Sequence, residues 1–415
     1  MSAGAILLIA AVLRFAPVRD DLWLDEIRSV QVAGRLSSPG EALTLHHEIN
    51  HHLNTWWLHL VGPQGTPLAC RFLSLLAGIG SVAVAGQIGR RHSPATGLLA
   101  MILFAVSYEL VLFSAEARGY SVLVFCSLLS FLLLESLLAR PTWRRAAGYA
   151  TCATVGLLLL DLRYVVPGGG TPADSWIHEL GLGLAWALGP PGSPAFQLLG
   201  CILAVIVLDG GLRWLRRGRG DAGIFFAGVI VAFPVLILVA RGSEYVYTRH
   251  FLVGAAFLLL LLGTILGSWW SQGAGGKVLC LTVLFAYTAS NLSHVTYLLT
   301  HGRGRHCAAI RYIAEHTPGP VVSIGGDSDH RIGLELSYYL PEVLKGRAAE
   351  YYELGSWPAG GPRWVITHGE SYEPPAPVGD TLSDDAGNRY ALARTFPTAP
   401  LSGLHWYVFR NLAPD

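Results

Sequence analysis

The sequence predicts an α-helical integral membrane protein with about nine transmembrane helices and a small extracytoplasmic α/β domain at its C-terminal end. Of the 415 residues, 52% are hydrophobic and only 14% are charged, whereas soluble domains carry about 25% charged residues. Apolar runs close to the ~20 residues of a spanning helix recur through the N-terminal part of the chain. Beyond residue 301 the composition turns polar, and helical and strand patterns alternate.

The membrane part is predicted to occupy residues 1–300, and the α/β domain residues 301–415. Two polar stretches, 19–67 and 162–195, interrupt the apolar runs and are predicted to be loops outside the membrane. The predicted spanning segments, of which the first and fifth are short for a bilayer, are 2–18, 68–89, 94–113, 120–139, 146–161, 196–212, 222–240, 250–268 and 278–298.

Basic residues in the short loops predict the orientation, because cytoplasmic loops are enriched in Arg and Lys. They fall at every second connection, at Arg90, Arg91, Arg140, Arg144, Arg145, Arg213, Arg216, Arg217, Arg219 and Lys277. We therefore predict a multi-pass protein of the inner or plasma membrane with a cytoplasmic N-terminus. The two long loops and the C-terminal domain then lie on the opposite side. Apolar residues around Ile27 and Val30, and from Ser175 to Leu188, predict short helices on the membrane surface.

The polar C-terminal part predicts alternating helices and strands. Its elements are a helix over Arg305–His316, a strand over Val321–Ile324, a helix over Arg331–Leu340, and strands over Arg363–Thr367 and Leu404–Arg410. The formal net charge of +1 provides no electrostatic field that would favour binding of nucleic acid. The six cysteines share no metal-ligand spacing and are interpreted as buried thiols.

Two adjacent carboxylates, Asp25 and Glu26, follow the first apolar segment in the motif Trp23-Leu24-Asp25-Glu26. Charge is costly near hydrocarbon and is usually kept there for function. One function that would use such a pair is transfer of a sugar from a lipid phosphate to a hydroxyl, which needs a base that takes the acceptor proton or a carboxylate that orients it. We predict that Asp25 is this base and that Glu26 orients the site or binds a cation. The alternative is that both acids simply begin a helix, where the dipole favours negative charge.

Two arginines, Arg118 and Arg249, are predicted at the outer ends of spanning helices. An extracytoplasmic lipid phosphate needs fixed cations, and arginine binds phosphate through parallel N–H groups. Together with the acids, the arginines predict a donor-phosphate site, although snorkelling toward headgroups explains each one singly. Tyr247 could stack on a sugar ring, and an aromatic belt at the membrane interface explains it equally well.

The first loop contains a histidine cluster, His46-His47-Glu48-Ile49-Asn50-His51-His52. Glu48 and His51 are candidate ligands of a divalent metal ion, and Asn50 and His52 are candidate contacts of the acceptor. The spacing is not diagnostic of a metal. A polar loop whose histidines bond to backbone or lipid headgroups is the alternative.

Several segments resemble motifs of the GT-C class of membrane glycosyltransferases. The nearest branch holds the protein O-mannosyltransferases and the lipid A aminoarabinose transferase, and is glycosyltransferase family 39-like. The segments, dense over residues 13–160, are Leu13–Phe15 with Asp21–Ser29, Asn50–Leu53, Cys70–Ser74, Ser114–Tyr120 and Thr248–Leu252. The chain departs from the pattern after Leu160, where relatives usually continue with further spanning helices.

The resemblance implies inverting transfer of a sugar from a polyprenyl phosphate on the extracytoplasmic face of the membrane. It implies that Asp25 is the catalytic carboxylate and that Arg118 and Arg249 lie near the donor phosphate. Glu48 and His51 would lie in a loop that approaches a metal or the acceptor in some members. Two alternatives stay open: a GT-C-shaped scaffold without catalysis, and a transporter of lipid or small solutes. The transporter is disfavoured because midplane charges are few and no internal repeat is visible.

Overall fold

The computed structural model describes most of the chain. The described residues are 2–43, 51–158, 176–189, 205, 207–213, 226, 228–232, 234–236, 247–370, 379–401 and 403–413. The chain divides into two compact units. The helical unit comprises Met1–Val18 and Ser29–Thr296, and the sheet unit comprises Arg19–Arg28 and Tyr297–Asp415. The segment that carries Asp25 and Glu26 thus groups with the C-terminal residues, whereas the predicted division assigned it to 1–300.

The helices follow the predicted apolar segments closely where the structure describes them. They are α1 (Ala3–Phe15), α2 (Leu24–Gly34), α3 (His52–Val61), α4 (Pro67–Arg90), α5 (Pro94–Val106), α6 (Tyr108–Ser114), α7 (Tyr120–Ala139), α8 (Trp143–Leu158), α9 (Trp176–Leu188), α10 (Leu252–Trp270), α11 (Gly273–His301), α12 (His306–Glu315) and α13 (Leu334–Leu344). Short helical turns occur at Pro17–Arg19, Pro39–Leu43, Gly228–Ala232, Thr248–Phe251 and Asp329–Gly333.

Four helical stretches in the described part of the chain are long and apolar enough to cross a membrane. They are Pro67–Arg90, Tyr120–Ala139, Thr248–Trp270 and Gly273–Glu315, and the bent pair α5–α6 would make a fifth. The nine predicted spans are therefore not confirmed. Two predicted spans correspond to α1, of 13 residues, and α8, of 16 residues up to the end of the described range. α1 is short of the ~20 residues that a bilayer requires. The predicted spans 196–212 and 222–240 lie largely outside the described residues.

The predicted span 94–113 is broken into α5 and α6, which meet at an angle of 61°. Ser107 sits at the break, and its hydroxyl accepts the N–H of Leu110. The side chain of Asn291 accepts the N–H of Tyr108 at 2.8 Å. A serine that caps the new helix and a neighbouring amide therefore replace the backbone partners that the bend removes.

The carbonyl groups freed by the same bend are satisfied by Arg14, a fully buried residue of α1. Its guanidinium donates to the carbonyls of Phe104 at 2.8 Å and Ala105 at 3.0 Å. The hydroxyl of Tyr287 donates to the carbonyl of Leu103 at 3.1 Å. Irregular backbone survives at membrane depth only where neighbouring groups satisfy it in this way. The close packing of Arg14 and Ser114 against α4 requires glycine at position 78. A Cβ there would lie 3.1 Å from Nε of Arg14 and 2.0 Å from the Ser114 hydroxyl.

The sheet unit contains a six-stranded sheet in the order β2-β1-β3-β6-β5-β4. The strands are β1 (Val321–Gly326), β2 (Ala348–Tyr352), β3 (Trp364–Glu370), β4 (Thr381–Ser383), β5 (Arg389–Phe396) and β6 (Leu404–Asn411). β1 pairs in parallel with both β2 and β3, and the other pairs are antiparallel. The predicted strands match β1, β3 and β6, and the predicted helices match α12 and α13. The remaining strands, β2, β4 and β5, were missed.

Replacing Arg14 by methionine keeps an apolar stem of similar length and removes every donor. We expect a loss of several kcal/mol of stability, because each buried carbonyl left without a partner costs about 1–3 kcal/mol. The melting temperature of the purified protein in detergent micelles measures it.

Arg91→Met is the matched control for this substitution. Arg91 pairs with Glu135 at 2.6 Å, but its side chain is 29% exposed, so we expect a loss within about 1 kcal/mol. Equal melting temperatures of the two variants would contradict the structural role of Arg14.

Candidate functional site

Asp25 and Glu26 occupy the first turn of α2, where the helix dipole stabilises negative charge. The two acids differ in environment. Glu26 is fully buried, and its Oε2 accepts the backbone N–H of Trp23 at 3.1 Å, which satisfies one of the unpaired donors at the helix start. Asp25 is half-exposed. Glu26 therefore anchors the start of the helix, and Asp25 is the more exposed of the two acids.

The segment leading into α2 is held by C-terminal residues of the sheet unit. The hydroxyl of Tyr339 donates to the carbonyl of Leu22 at 2.8 Å. The backbone N–H of Cys307, at the start of α12, donates to Oδ2 of Asp21 at 2.8 Å. These contacts fix the backbone on the N-terminal side of Asp25.

A buried pair, His306 and Glu335, lies beside the same helix start. Their side chains are 1% and 0% exposed, and Nε2 of His306 lies 3.5 Å from Oε1 of Glu335. The His306 ring packs against Tyr339 and, edge to face, against Trp406. The Trp406 indole and the backbone of Leu24 lie close to the Glu335 carboxyl group without reaching ordinary hydrogen-bond geometry. Glu335 therefore adjoins the first residue of α2, next to Asp25.

Burial raises the pKa of Glu335 to about 8, and the negative charge of Asp25 adds to the increase. At neutral pH the Glu335 carboxyl group is thus mainly protonated. A neutral Glu335 adds no further negative charge beside Asp25 and Glu26. Sequence reasoning had assigned no role to Glu335 or His306.

Arg118 lies in the turn between α6 and α7 and is buried. Its guanidinium lies over the ring of Tyr120, 4.9 Å from the centroid. His51 packs edge to face on the same ring, with a centroid separation of 4.9 Å. The turn is held by side-chain donors to its backbone, since Ser74 Oγ donates to the Arg118 carbonyl at 2.8 Å and Asn54 donates to the Ala117 carbonyl at 2.6 Å. The structure thus brings two predicted site residues, Arg118 and His51, onto one aromatic ring.

Arg249 lies in the turn Thr248–Phe251, ahead of α10. Its guanidinium lies 4.5 Å from the ring centroid of Tyr247, so these two predicted residues are neighbours in a cation–π contact. The turn is clamped by Glu179 of α9, whose Oε2 accepts the N–H of Thr248 at 2.8 Å and its hydroxyl at 2.9 Å. Glu179 was not predicted as part of the site.

The other predicted loop residues are only partly described. Nδ1 of His52 lies 2.7 Å from the carbonyl of Ala42, a contact that ties the start of α3 to the preceding turn. Glu48 and Asn50 lie outside the described residues. Within the described ranges, no group of three or more His, Cys, Asp or Glu side chains could hold a metal ion.

We expect stability to depend on the protonation of Glu335. Its pKa is raised on folding, so its contribution is complete below the unfolded value of about 4.5 and is lost as the pH rises through about 8. Glu335→Gln mimics the protonated form. As the pH rises from about 5 to 8, the melting temperature of Glu335→Gln should fall less than that of the unmodified protein.

Glu342→Gln is the matched control, because Glu342 is exposed on the same helix, α13. This variant should keep the pH dependence of the unmodified protein. If Glu335→Gln shows that same pH dependence, Glu335 is not the titrating group.

No family model and no curated protein sequence matches the chain. Its fold is similar to that of solved structures. The crystal structure of ArnT from Cupriavidus metallidurans in the apo state aligns with a TM-score of 0.51 and 13% identity over 99% of each chain. A crystal structure of ArnT from the same organism bound to undecaprenyl phosphate aligns with a TM-score of 0.49 and 13% identity, over 99% of this chain and 98% of that one. ArnT is a lipid A aminoarabinose transferase of GT-C fold, and the chain shares this overall fold.

Proposed function

We propose that this protein transfers a sugar from a polyprenyl-phosphate-linked donor to an acceptor on the extracytoplasmic face of the membrane. The observation that carries the proposal is the fold that the chain shares with ArnT over 99% of its length. The environment of Asp25 supports it, because a half-exposed carboxylate stands on a helix whose start is anchored by buried neighbours. In this proposal the N-terminus is cytoplasmic, and residues 301–415 form an extracytoplasmic domain.

The proposed reaction is a single inverting displacement. Asp25 accepts the proton of the acceptor hydroxyl as its oxygen attacks the anomeric carbon. The bond between that carbon and the phosphate oxygen breaks, and polyprenyl phosphate leaves from the opposite face of the sugar. Glu26 takes no proton in this scheme, because its carboxylate is buried and bonded to the start of α2.

Arg118 and Arg249 are proposed to bind the donor phosphate. Each guanidinium lies over a tyrosine ring. Stacking uses the flat face of a guanidinium, whereas phosphate binds to its in-plane N–H groups. The observed ring contacts are therefore compatible with phosphate binding, and they fix the plane in which the N–H groups lie.

Acceptor contacts are proposed for Asn50, His52 and Tyr247, and metal ligation for Glu48 and His51. The described residues provide no set of three side chains for a metal ion.

The test of the proposal is Asp25→Asn, which keeps the shape of the side chain and removes its basic oxygen. Loss of a general base costs about 10²–10⁴-fold in rate. Cells that lack the native protein and carry this variant should therefore lack the glycan product, as measured by mass spectrometry of glycolipids and glycoproteins. Asp209→Asn, at an exposed ion pair with Arg213, should restore the product fully.

Each other outcome points to a different function. Normal product with Asp25→Asn, together with loss of product when the whole protein is absent, would favour the non-catalytic scaffold. Flux of lipid or solute into vesicles that contain no acceptor would favour the transporter.

Donor binding tests the arginines separately from the chemistry. The probe is undecaprenyl phosphate, the lipid present in one ArnT structure, and its binding to the full chain in micelles is measured by native mass spectrometry. Arg249→Lys should weaken binding about tenfold, because lysine lacks the planar N–H fork.

Arg213→Lys is the control, since Arg213 is 69% exposed in a surface pair. Asp25→Asn should bind the lipid normally. Unchanged affinity in Arg249→Lys would remove Arg249 from the phosphate site.

A further inference from the structure

A cavity of about 410 Å³ lies within the sheet unit, a volume typical of small-molecule sites. Its wall combines the loop after β2 around Trp357, Val365 and Thr367 of β3, Leu382 and Ser383 of β4, the turn 384–386, and Asp327. We refer to this space as the sheet cavity.

The chain reverses its direction of travel across the sheet at β1. From β1 it passes to β2 on one side and then to β3 on the other, and all three strands are parallel. Because β1 lies between β2 and β3, the loop that leaves β2 passes β1 before it reaches β3. Asp327 directly follows β1, and the cavity residues Val365 and Thr367 lie between the amino-terminal end and the middle of β3. The turn after β4 lies at this same end of β3, so loop, strand and turn enclose one space.

The cavity presents an aromatic ring that is held in place. Trp357 packs on Gly325, where a Cβ would lie 2.8 Å from Cε2 of the indole. On another side the indole contacts the ring of Tyr390 edge to face, with a centroid separation of 6.2 Å. Leu354, which is 59% exposed, extends the apolar wall.

Two of the carboxylates in the wall are oriented by neighbours. Oδ2 of Asp384 accepts hydrogen bonds from Asn388 at 2.8 Å and from the Tyr390 hydroxyl at 3.0 Å. Desolvation acts to raise the pKa of Asp384, but these hydrogen bonds outweigh it and hold the pKa below its usual value. Oδ2 of Asp327 accepts the backbone N–H of His368 at 2.9 Å, and its Oδ1 lies 2.8 Å from Nδ1 of that ring.

The charge of the wall selects among ligands. It contains three carboxylates, Asp327, Asp384 and Asp385, and no Lys, Arg or His among the described residues, so an anion is disfavoured. The carboxylates do not converge, because no three acids in the described ranges could hold a metal ion. Separated acceptors beside a fixed aromatic face match a ligand that has several hydroxyl donors and one apolar face.

We propose that the sheet cavity binds an uncharged saccharide, with one sugar ring against Trp357 and its hydroxyl groups donating to the aspartates. The hydroxyls of Thr367 and Ser383 provide further partners in the wall. The inference goes beyond the proposed transfer reaction and does not depend on it, because binding is measured without donor lipid.

Binding to the full chain is tested by isothermal titration calorimetry in an amine-oxide detergent, since detergents with sugar headgroups would compete. The probes are cellotriose, mannotriose and chitotriose, with inorganic phosphate and tetramethylammonium as charged comparisons. We expect at least one trisaccharide to bind, and Asp385→Asn and Trp357→Phe to weaken it at least about fivefold, the equivalent of one hydrogen bond.

Asp380→Asn is the matched control, because Asp380 is also exposed near β4 but does not line the cavity. It should bind like the unmodified protein, and unchanged melting temperatures should show that every variant is folded. The proposal is overturned if no trisaccharide binds, if the cavity variants bind as tightly as Asp380→Asn, or if only phosphate or tetramethylammonium binds. Loss of transfer in Asp25→Asn would leave this result unchanged, so the two proposals fail separately.

Discussion

A bend in an apolar helix exposes backbone groups that must find partners inside the protein, and this requirement organises the helical unit. Arg14 meets it by donating to the carbonyls at the end of α5, while its Nε contacts the hydroxyl of Ser114 at 3.3 Å. Ser114 is the last residue of α6, immediately before the turn that carries Arg118. The Arg14 guanidinium, which donates to the carbonyls left free by the bend, therefore also contacts the residue before that turn. Arg118 cannot move far without breaking hydrogen bonds that the buried backbone needs.

Arg71 and Ser74, in the segment Cys70–Ser74 that resembles a GT-C motif, have structural roles of the same kind. Arg71 is fully buried and donates to the carbonyl of Val18 at 3.1 Å, just beyond α1. Ser74, three positions later on the same helical face, donates to the carbonyl of Arg118. The motif thus fixes the chain after α1 and the turn before α7. Residues of a segment that resembles a catalytic family's motif can therefore have structural contacts, as these two do.

Local patterns in the sequence predict the positions of helices and strands well. They predict contacts between residues that are distant in sequence poorly. The apolar run 120–139 coincides with α7, and α12 and α13 lie where polar helices were predicted. The break at Ser107 escapes prediction because a serine is tolerated in a helix, and because the bend is stabilised by contacts with residues distant in sequence, among them Asn291 and Arg14. The strand β5 was missed because a bulge between Leu392 and Arg394 interrupts its alternation. No periodicity links Glu335 to Asp25 across some three hundred residues, so their proximity follows only from the fold.

The two adjacent acids show how burial of one side chain on a helix can fix the orientation of its more exposed neighbour. Neighbouring residues on an α-helix point about 100° apart, so burial of Glu26 sets the rotation of α2 and turns Asp25 toward a less enclosed side. Burying Glu26 is tolerable because its Oε2 accepts an N–H that the helix start would otherwise leave unpaired. A protonated Glu335 next to Leu24 then fills the remaining space without adding charge. The orientation of Asp25 thus depends on two buried acids, Glu26 and Glu335.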